Sequence, residues 1–458
     1  MYELKEISPA ENLKRVIKTD GYWVHYENRT NLEVQSGNCS FTLGYNHKEL
    51  KSLLPTNEID FLRGNSGESA EPVDRLSETL TKEAGMDGIA YAVSGSDGNE
   101  CAFYINDLYW TNKGEPNRRY IISIPPCYHG TTVVCRSANN DIVEKRQSRF
   151  VPIRGRTWYT TEDSIANETN VLEQIIETFK SRNDIGAILI ESYPWNKTIA
   201  PWSHNFYQLL RATATLYGAN LIVDDIAGYG GKIGTLFTHT AYNIKPDIVT
   251  IGKALTNGLI PLSACLINDK VLKQVKTTFN WGHTWQPNMY GVRVANRCIE
   301  LIKERMAYSK VIEKNLNDIG DRLISKGLVR NVIGNGVWKS FVPEPNPIPI
   351  SLAEIDKAGM SATTNENTIK TIIPLIADDI YFEELEKRLE VCFTNIKEQR
   401  TQGLLIWTIN NLQKKLHIFN QRIKYLIGIW IMLKEHQHLL NTLNFNFLNL
   451  NSLKINHF

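Results

Sequence analysis

An α/β protein, with a large, mostly parallel sheet and a smaller α+β part, is the fold class this sequence predicts. Three observations carry that reading. From about residue 70 to residue 270, helical patterns alternate with short apolar runs rich in β-branched residues, which argues for a parallel sheet with helices on both faces. The polar residues that stand out within this stretch fall at strand ends, where ligands gather in such sheets. Beyond about Asn288 the alternation gives way to a long helical stretch and a smaller α+β region.

In chain order, "VDRLSETLTKEA" is amphipathic and "GIAYAVSGS" is a strand feeding a glycine turn. "NECAFYINDLYW" is helical, and "RRYIISIPPCYHG" is a strand that ends in a loop. "VLEQIIETFKSR" and "NFYQLLRATATLYG" are helices on either side of the strand "DIGAILIESYPW". "ANLIVDDIAGYGG" and "PDIVTIGKA" supply two more strands, each a short apolar run bounded by turn residues. The resulting division is a large α/β domain over residues 51–290 and a small α+β domain over 291–398, which residues 1–50 join. Residues 399–458 differ in kind. From Thr401 onward there is no Asp, Ala, Val, Pro or Cys, and Glu435 is the only acid. This Asn-, Leu-, Ile- and Lys-rich tail reads as an added helical pair, an aggregation-prone extension or out-of-frame sequence, and no function is placed on it.

Bulk properties exclude several classes. Of the 458 residues 42% are hydrophobic, ample for a sizeable core. Lys and Arg total 51 against 49 Asp and Glu, a formal net charge of +2, so there is no electrostatic case for nucleic acid or a membrane surface as partner. The seven cysteines are scattered singly and form no C-x-x-C pair, which suits buried thiols in a reducing compartment better than disulfides or zinc. The N-terminus lacks an apolar signal core, and the longest apolar run, Tyr425 to Leu433, is too short to span a bilayer. These features predict a cytoplasmic protein.

The chemistry concentrates in a few stretches. In "DIVTIGKALTNG", Lys253 follows a run that wants to lie inside a sheet. It is compatible with a lysine that snorkels to water and with one placed to form an imine with a carbonyl. In "AVSGSDGNECAF" a strand runs through Ser94, Gly95 and Ser96 into a helix that Ser96 or Asp97 can cap. The glycine allows close backbone approach, and the open N–H groups with their positive dipole end suit a phosphate. Asp224 and Asp225 close the apolar strand of "LIVDDIAGYGG". A carboxylate there must be paired or hydrogen-bonded: it caps the following turn or faces a protonated ring nitrogen, while a metal lacks further ligands at suitable spacing. Tyr128, in "PPCYHGTT", is a ring able to stack on a flat cofactor or to pack within its own loop. A phosphate cradle, a stacking ring, a buried carboxylate and a strand-end lysine, in that order, are together the parts of a pyridoxal 5'-phosphate site.

On these residues the sequence resembles the class III aminotransferases of PLP fold type I, which include glutamate-1-semialdehyde aminomutase and the omega-aminotransferases. The resemblance runs from "DGYWVHYENRTNLEVQSGNCSFTLGYNHKEL" to about Lys397. "YAVSGSDGNECA" looks like the family's phosphate loop, "YHG" like its stacking loop, "LIVDDIAGYGG" like its Asp-Glu strand, "PDIVTIGKAL" like its Schiff-base strand, and "GHTW" like the loop given to the partner subunit. The resemblance implies Lys253 as the Schiff-base lysine and Asp224 as the partner of the ring nitrogen. It implies Gly95 and Ser96 at the phosphate and Tyr128 on the ring. It also implies a homodimer, in which Thr284 reaches the phosphate of the neighbouring protomer.

The implied activity is transfer of an amino group between an amine or amino acid and a carbonyl compound; an intramolecular aminomutase would use the same residues. Two departures stand out. Asp225 occupies the place of the family's glutamate, followed by "IAGYGGKIG", and "TIIPLIADD" lacks the arginine that usually precedes the Pro-Leu pair. The altered Asp225 loop and the unusual C-terminal tail motivate a rival reading as a non-catalytic relative, against which stands the intact set of Lys253, Asp224, Gly95 and Ser96.

Overall fold

The computed structural model describes residues 16–53, 69–139, 149–153, 161–194, 201–344, 350–362 and 367–398. The chain divides into two compact units, Met1–Ile396 and Lys397–Phe458. The described residues lie almost entirely in the first, and the tail reading concerns residues outside the described set.

At the centre is a sheet of seven strands: β4 (Gly88–Ala92), β5 (Tyr120–Ser123), β6 (Phe150–Pro152), β7 (Ile185–Glu191), β8 (Asn220–Asp224), β9 (Ile248–Ile251) and β10 (Ser263–Ile267). Their order across the sheet is β4-β10-β9-β8-β7-β5-β6. Every residue of β7, β8, β9 and β10 is buried, the signature of strands covered on both faces. The pairings are parallel except at β10, which runs antiparallel to both β4 and β9. Six strands therefore point their carboxyl ends to one edge.

Two smaller sheets accompany it. β1 (Val16–Asp20), β2 (Trp23–Tyr26) and β3 (Arg29–Glu33) form a meander, and β3 pairs in parallel with β13 (Met360–Ser361). The third sheet is β11 (Val329–Ile333), β12 (Trp338–Pro343) and β14 (Ile369–Ile372), in the order β11-β12-β14.

The helices form where apolar positions recur with helical spacing. Helix Glu71–Ala84 buries Val73, Leu76, Leu80 and Ala84, with proline in its first turn and Gly85 in the left-handed conformation at its end. Helix Gly95–Asn112 instead buries residues around most of its circumference, because it lies against the sheet. Met289–Arg305 and Ser309–Ser325 follow as long amphipathic helices, and residues 379–398 form the last described helix. "KIGTLFTHTAYN", a poor helix by sequence, contributes a single turn at Thr238–Ala241. Among the described residues no helix is long and apolar enough to cross a membrane.

Candidate active site

At the carboxyl edge of the large sheet a cavity of about 160 Å³ is lined by residues from five strand ends. Gly95 and Ser96 follow β4, Tyr128 and His129 follow β5, Glu191 ends β7, Asp224 ends β8 and Lys253 follows β9. The register makes this convergence inevitable: Glu191 lies opposite Asp224, and Asp224 opposite Thr250, in adjacent strands. Gly95, Ser96, Tyr128, Asp224 and Lys253, singled out by sequence, thus share one cavity. Thr284 does not line it and lies exposed in the loop before helix Met289–Arg305.

The anion-binding end is built by the start of helix Gly95–Asn112. Its cap is Ser94, whose hydroxyl accepts the Asp97 N–H at 3.2 Å. This corrects the expectation of a cap at Ser96 or Asp97. With Ser94 in extended conformation the helix begins at Gly95, so Gly95 and Ser96 occupy the first turn, where N–H groups have no intrahelical acceptor. Ser96 Oγ accepts the Thr131 N–H at 3.1 Å and ties the Tyr128 loop to this turn. The approach requires a glycine at position 130. Its φ is +129°, and a Cβ there would lie 2.3 Å from Ser96 Oγ.

Asp224 is buried and fully engaged. Its Oδ2 accepts from Asn99 Nδ2 at 2.8 Å and from His129 Nδ1 at 2.8 Å, and its Oδ1 accepts the Ile226 N–H at 3.1 Å. Asn99 is itself fixed, with Nδ2 also donating to the His129 carbonyl at 2.7 Å and Oδ1 accepting from Thr250 Oγ1 at 2.7 Å. Burial works against a charged imidazole at His129, but Cys127 and Asp224 alongside raise it well above the ordinary histidine value. Burial also pushes the Cys127 thiol up, and from this loop it is the His129 Nδ1 contact that fixes the Asp224 carboxylate. The result is a carboxylate of fixed orientation at one end of the cavity.

Lys253 opens a short 3-10 turn, Lys253–Thr256, with φ +47°. Left-handed backbone at a lysine costs about 1–2 kcal/mol and persists where the surroundings impose it. Here Leu255 N bonds to the Gly252 carbonyl at 3.0 Å and Gly258 N to that of Lys253 at 3.2 Å. The buried Asn257 side chain clamps the turn's end, donating to the Gly44 carbonyl and accepting from Leu43 N.

Four residues escaped the sequence reading. Asn99 and Thr250 orient Asp224, as described. Glu191 lines the cavity and accepts the Tyr128 N–H at 3.2 Å. Lys370, on β14, is buried; burial pushes its ammonium down to about 7, against the pull of Glu191. It stands four residues before Pro374, in the stretch noted for lacking an arginine. The signal was present: a lysine between apolar residues in "TIKTIIPL" is the pattern that singled out Lys253. Among the described residues no group of three His, Cys, Asp or Glu side chains is placed to hold a metal ion.

This geometry suits a flat, anionic ligand bearing a carbonyl. Open N–H groups would serve its anion, Tyr128 its face, the pinned Asp224 carboxylate a basic ring atom and the Lys253 amine its carbonyl. Comparison with known proteins gives the family. The model of the family "Aminotransferase class-III" matches residues 8–393. The acetylornithine aminotransferase of Prochlorococcus marinus subsp. pastoris is 24% identical over 386 residues, covering 82% of this chain and 91% of that protein. The ornithine aminotransferase of Emericella nidulans is 25% identical over 387 residues, covering 81% and 83%. Among solved structures, an amine transaminase from an uncultivated Pseudomonas species, in its PLP-bound form, superposes with a TM-score of 0.77 at 18% identity, covering 86% of this chain and 98% of that one. That likeness concerns the fold.

Proposed function

Because the chain belongs to the class III aminotransferases, which depend on pyridoxal 5'-phosphate, we propose that Lys253 is the amine that holds the cofactor and that Asp224 faces its ring nitrogen. The observation that carries this assignment is the meeting of Gly95, Ser96, Tyr128, Asp224 and Lys253 at one cavity on the carboxyl edge of the sheet. The donor set fits the cofactor: a helix N-terminus for its phosphate, an aromatic face for its ring, a buried carboxylate for its nitrogen and an amine for its aldehyde. Bound there, pyridoxal phosphate supplies the electron sink that lets an amino group pass between an amine and a carbonyl compound.

The chain's own residues do the rest. Gly95 and Ser96 fix the phosphate, and Tyr128 limits the tilt of the ring. Asp224, held by Asn99 and His129, keeps a counter-charge at a constant place. Lys253 Nζ takes and returns the proton at the substrate's amine-bearing carbon. The reading includes a homodimer, with Thr284 of each protomer reaching the partner's phosphate; exposure of Thr284 away from its own cavity supports it. A reducing cytoplasm suits seven buried, free cysteines.

The test is an absorbance spectrum of the purified protein with added pyridoxal phosphate, followed by borohydride reduction and peptide mapping. A visible band and a reduced adduct on Lys253 are expected, both lost in Lys253→Ala. No adduct, or one scattered over surface lysines, would overturn the assignment.

A further inference from the structure

The first turn of helix Gly95–Asn112 contains an apparent contradiction for an anion site: it carries an acid. Asp97 lies one residue beyond Ser96, with its side chain only 13% exposed. A carboxylate is favourable to an empty helix N-terminus but opposes a phosphate dianion bound at the same turn. Its two oxygens are both engaged. Oδ2 accepts the Val93 N–H at 2.8 Å, and Oδ1 meets His283 Nε2 at 2.7 Å.

His283 comes from the loop 280–288 before helix Met289–Arg305. The loop is held against the phosphate helix at two points, at Asp97 through His283 and at Tyr104 through Trp281, whose rings lie 5.7 Å apart. The Trp281 ring stands edge-on to the His283 imidazole at 5.6 Å. The His283 backbone is fixed by Gln286, whose Oε1 accepts the His283 N–H at 3.0 Å and whose own N–H donates to the His283 carbonyl at 3.1 Å. The imidazole is thus presented to Asp97 by a braced loop.

We propose that His283 is a positioning residue for phosphate binding: by facing Asp97 it offsets the carboxylate in the first turn and lets the cradle accept a dianion. A protonated ring does so with a full charge, a neutral ring with the Nε2–H dipole. Asp97 keeps its structural task, tying Val93 and Ser94 into the turn, without opposing the ligand. The inference rests on the phosphate assignment of Gly95 and Ser96 made above.

Isothermal titration of the cofactor-free protein with inorganic phosphate, and separately with pyridoxal phosphate, tests it. His283→Gln is expected to weaken phosphate binding about three- to tenfold, the scale of a partly exposed charge pair near a helix terminus. Adding Asp97→Asn to that variant should restore affinity to within about twofold, since the opposing charge is gone. Wild-type affinity in His283→Gln, or a loss that Asp97→Asn does not restore, would overturn the proposal. The second result would mean that the loop is merely ordered by the contact. The underlying assignment fails separately: it is lost if wild-type protein binds no phosphate and forms no adduct on Lys253, whereas a normal adduct with an unaffected His283→Gln removes the His283 role alone.

Discussion

Asp224 and Asp225 are neighbours in sequence, both buried, yet they live in different chemical worlds. Consecutive side chains at a strand end turn to opposite sides of the sheet. Asp224 turns toward helix Gly95–Asn112, lines the cavity and is gripped by Asn99 and His129. Asp225 turns toward Ser192, whose hydroxyl donates to it, and accepts the Thr238 N–H at 2.8 Å. Burial pushes the Asp225 carboxyl up to about 6, against those hydrogen bonds. Burial alone therefore does not make a functional carboxylate. A place in the cavity wall is what sets Asp224 apart as the candidate, and Asp225 is a structural clamp on the loop behind it.

The largest expected effect separates the two. Asp224→Asn keeps the shape but removes the charge and turns an amide toward the donors of Asn99 and His129. Turnover should fall by about 10²-fold or more, the range for loss of one preorganised electrostatic partner. Asp225→Asn should cost less than about tenfold. Single-turnover amine consumption at matched cofactor occupancy measures both, and equal losses would dissolve the distinction.

The second effect concerns stability. Asp225 has a folded-state value raised above the ordinary 3.8, so the native state holds the proton longer than the unfolded chain does. Its contribution is fully present below about pH 4 and is lost as pH rises through about 6. The size is roughly 3 kcal/mol, from 1.36 kcal/mol per pH unit. Urea unfolding of wild type and Asp225→Asn across pH 4–7 should show wild type losing ground by about that amount. Parallel pH profiles would contradict the clamp's protonation.

A third, smaller effect lies on the same side as Asp225. Lys232 is buried, donates to the Tyr229 carbonyl, and is pushed by burial down to about 8, with Cys39, Lys253, Asp225 and Cys298 also around it. Here the folded value lies below the unfolded 10.5, so stability rises as pH climbs from about 8 toward 10.5. Replacing such a group by an apolar isostere is often neutral or stabilising. Lys232→Met should gain about 2 kcal/mol at pH 7 and lose the alkaline rise, as read by thermal unfolding at pH 7 and pH 10. Destabilisation at pH 7 would show that the ammonium is better solvated than its surroundings indicate.

How much of this was legible in sequence follows the same division. The parallel sheet was readable because covered strands are continuous apolar runs, as in "IGAILIE", and because helices alternate with them. The reversal of β10 was not, since "SACLI" looks the same in either direction and its pairing is decided by distant strands. The five cavity residues were readable as polar interruptions at strand ends. Their supports were not: Asn99 lies within a helix, Thr250 is one β-branched residue among others in "DIVTI", and contact between His129 and Asp224 joins positions 95 residues apart. The Ser94 cap was missed because Ser94, Ser96 and Asp97, all at that turn, could each have filled the role. Lys232 shows the reverse case, an ordinary lysine in sequence that only packing reveals as buried.

The smallest expected effect tests the open side of the Asp224 region. The Tyr128 ring is 40% exposed, unusual for an aromatic residue at the mouth of a buried site, while its N–H is anchored on Glu191. An anchored backbone with the side chain at the cavity wall is what a stacking platform needs. Aromatic pairs contribute about 0.5–1.5 kcal/mol beyond area burial, so Tyr128→Leu should weaken pyridoxal phosphate binding about three- to tenfold. Tyr128→Phe, which keeps the face and loses only the hydroxyl, should bind within about twofold of wild type. Spectrophotometric titration of the cofactor-free proteins resolves both. If the leucine variant binds as tightly as wild type, the ring is a lid over the mouth with no stacking role, and the cofactor's orientation rests on Asp224 and the phosphate turn alone.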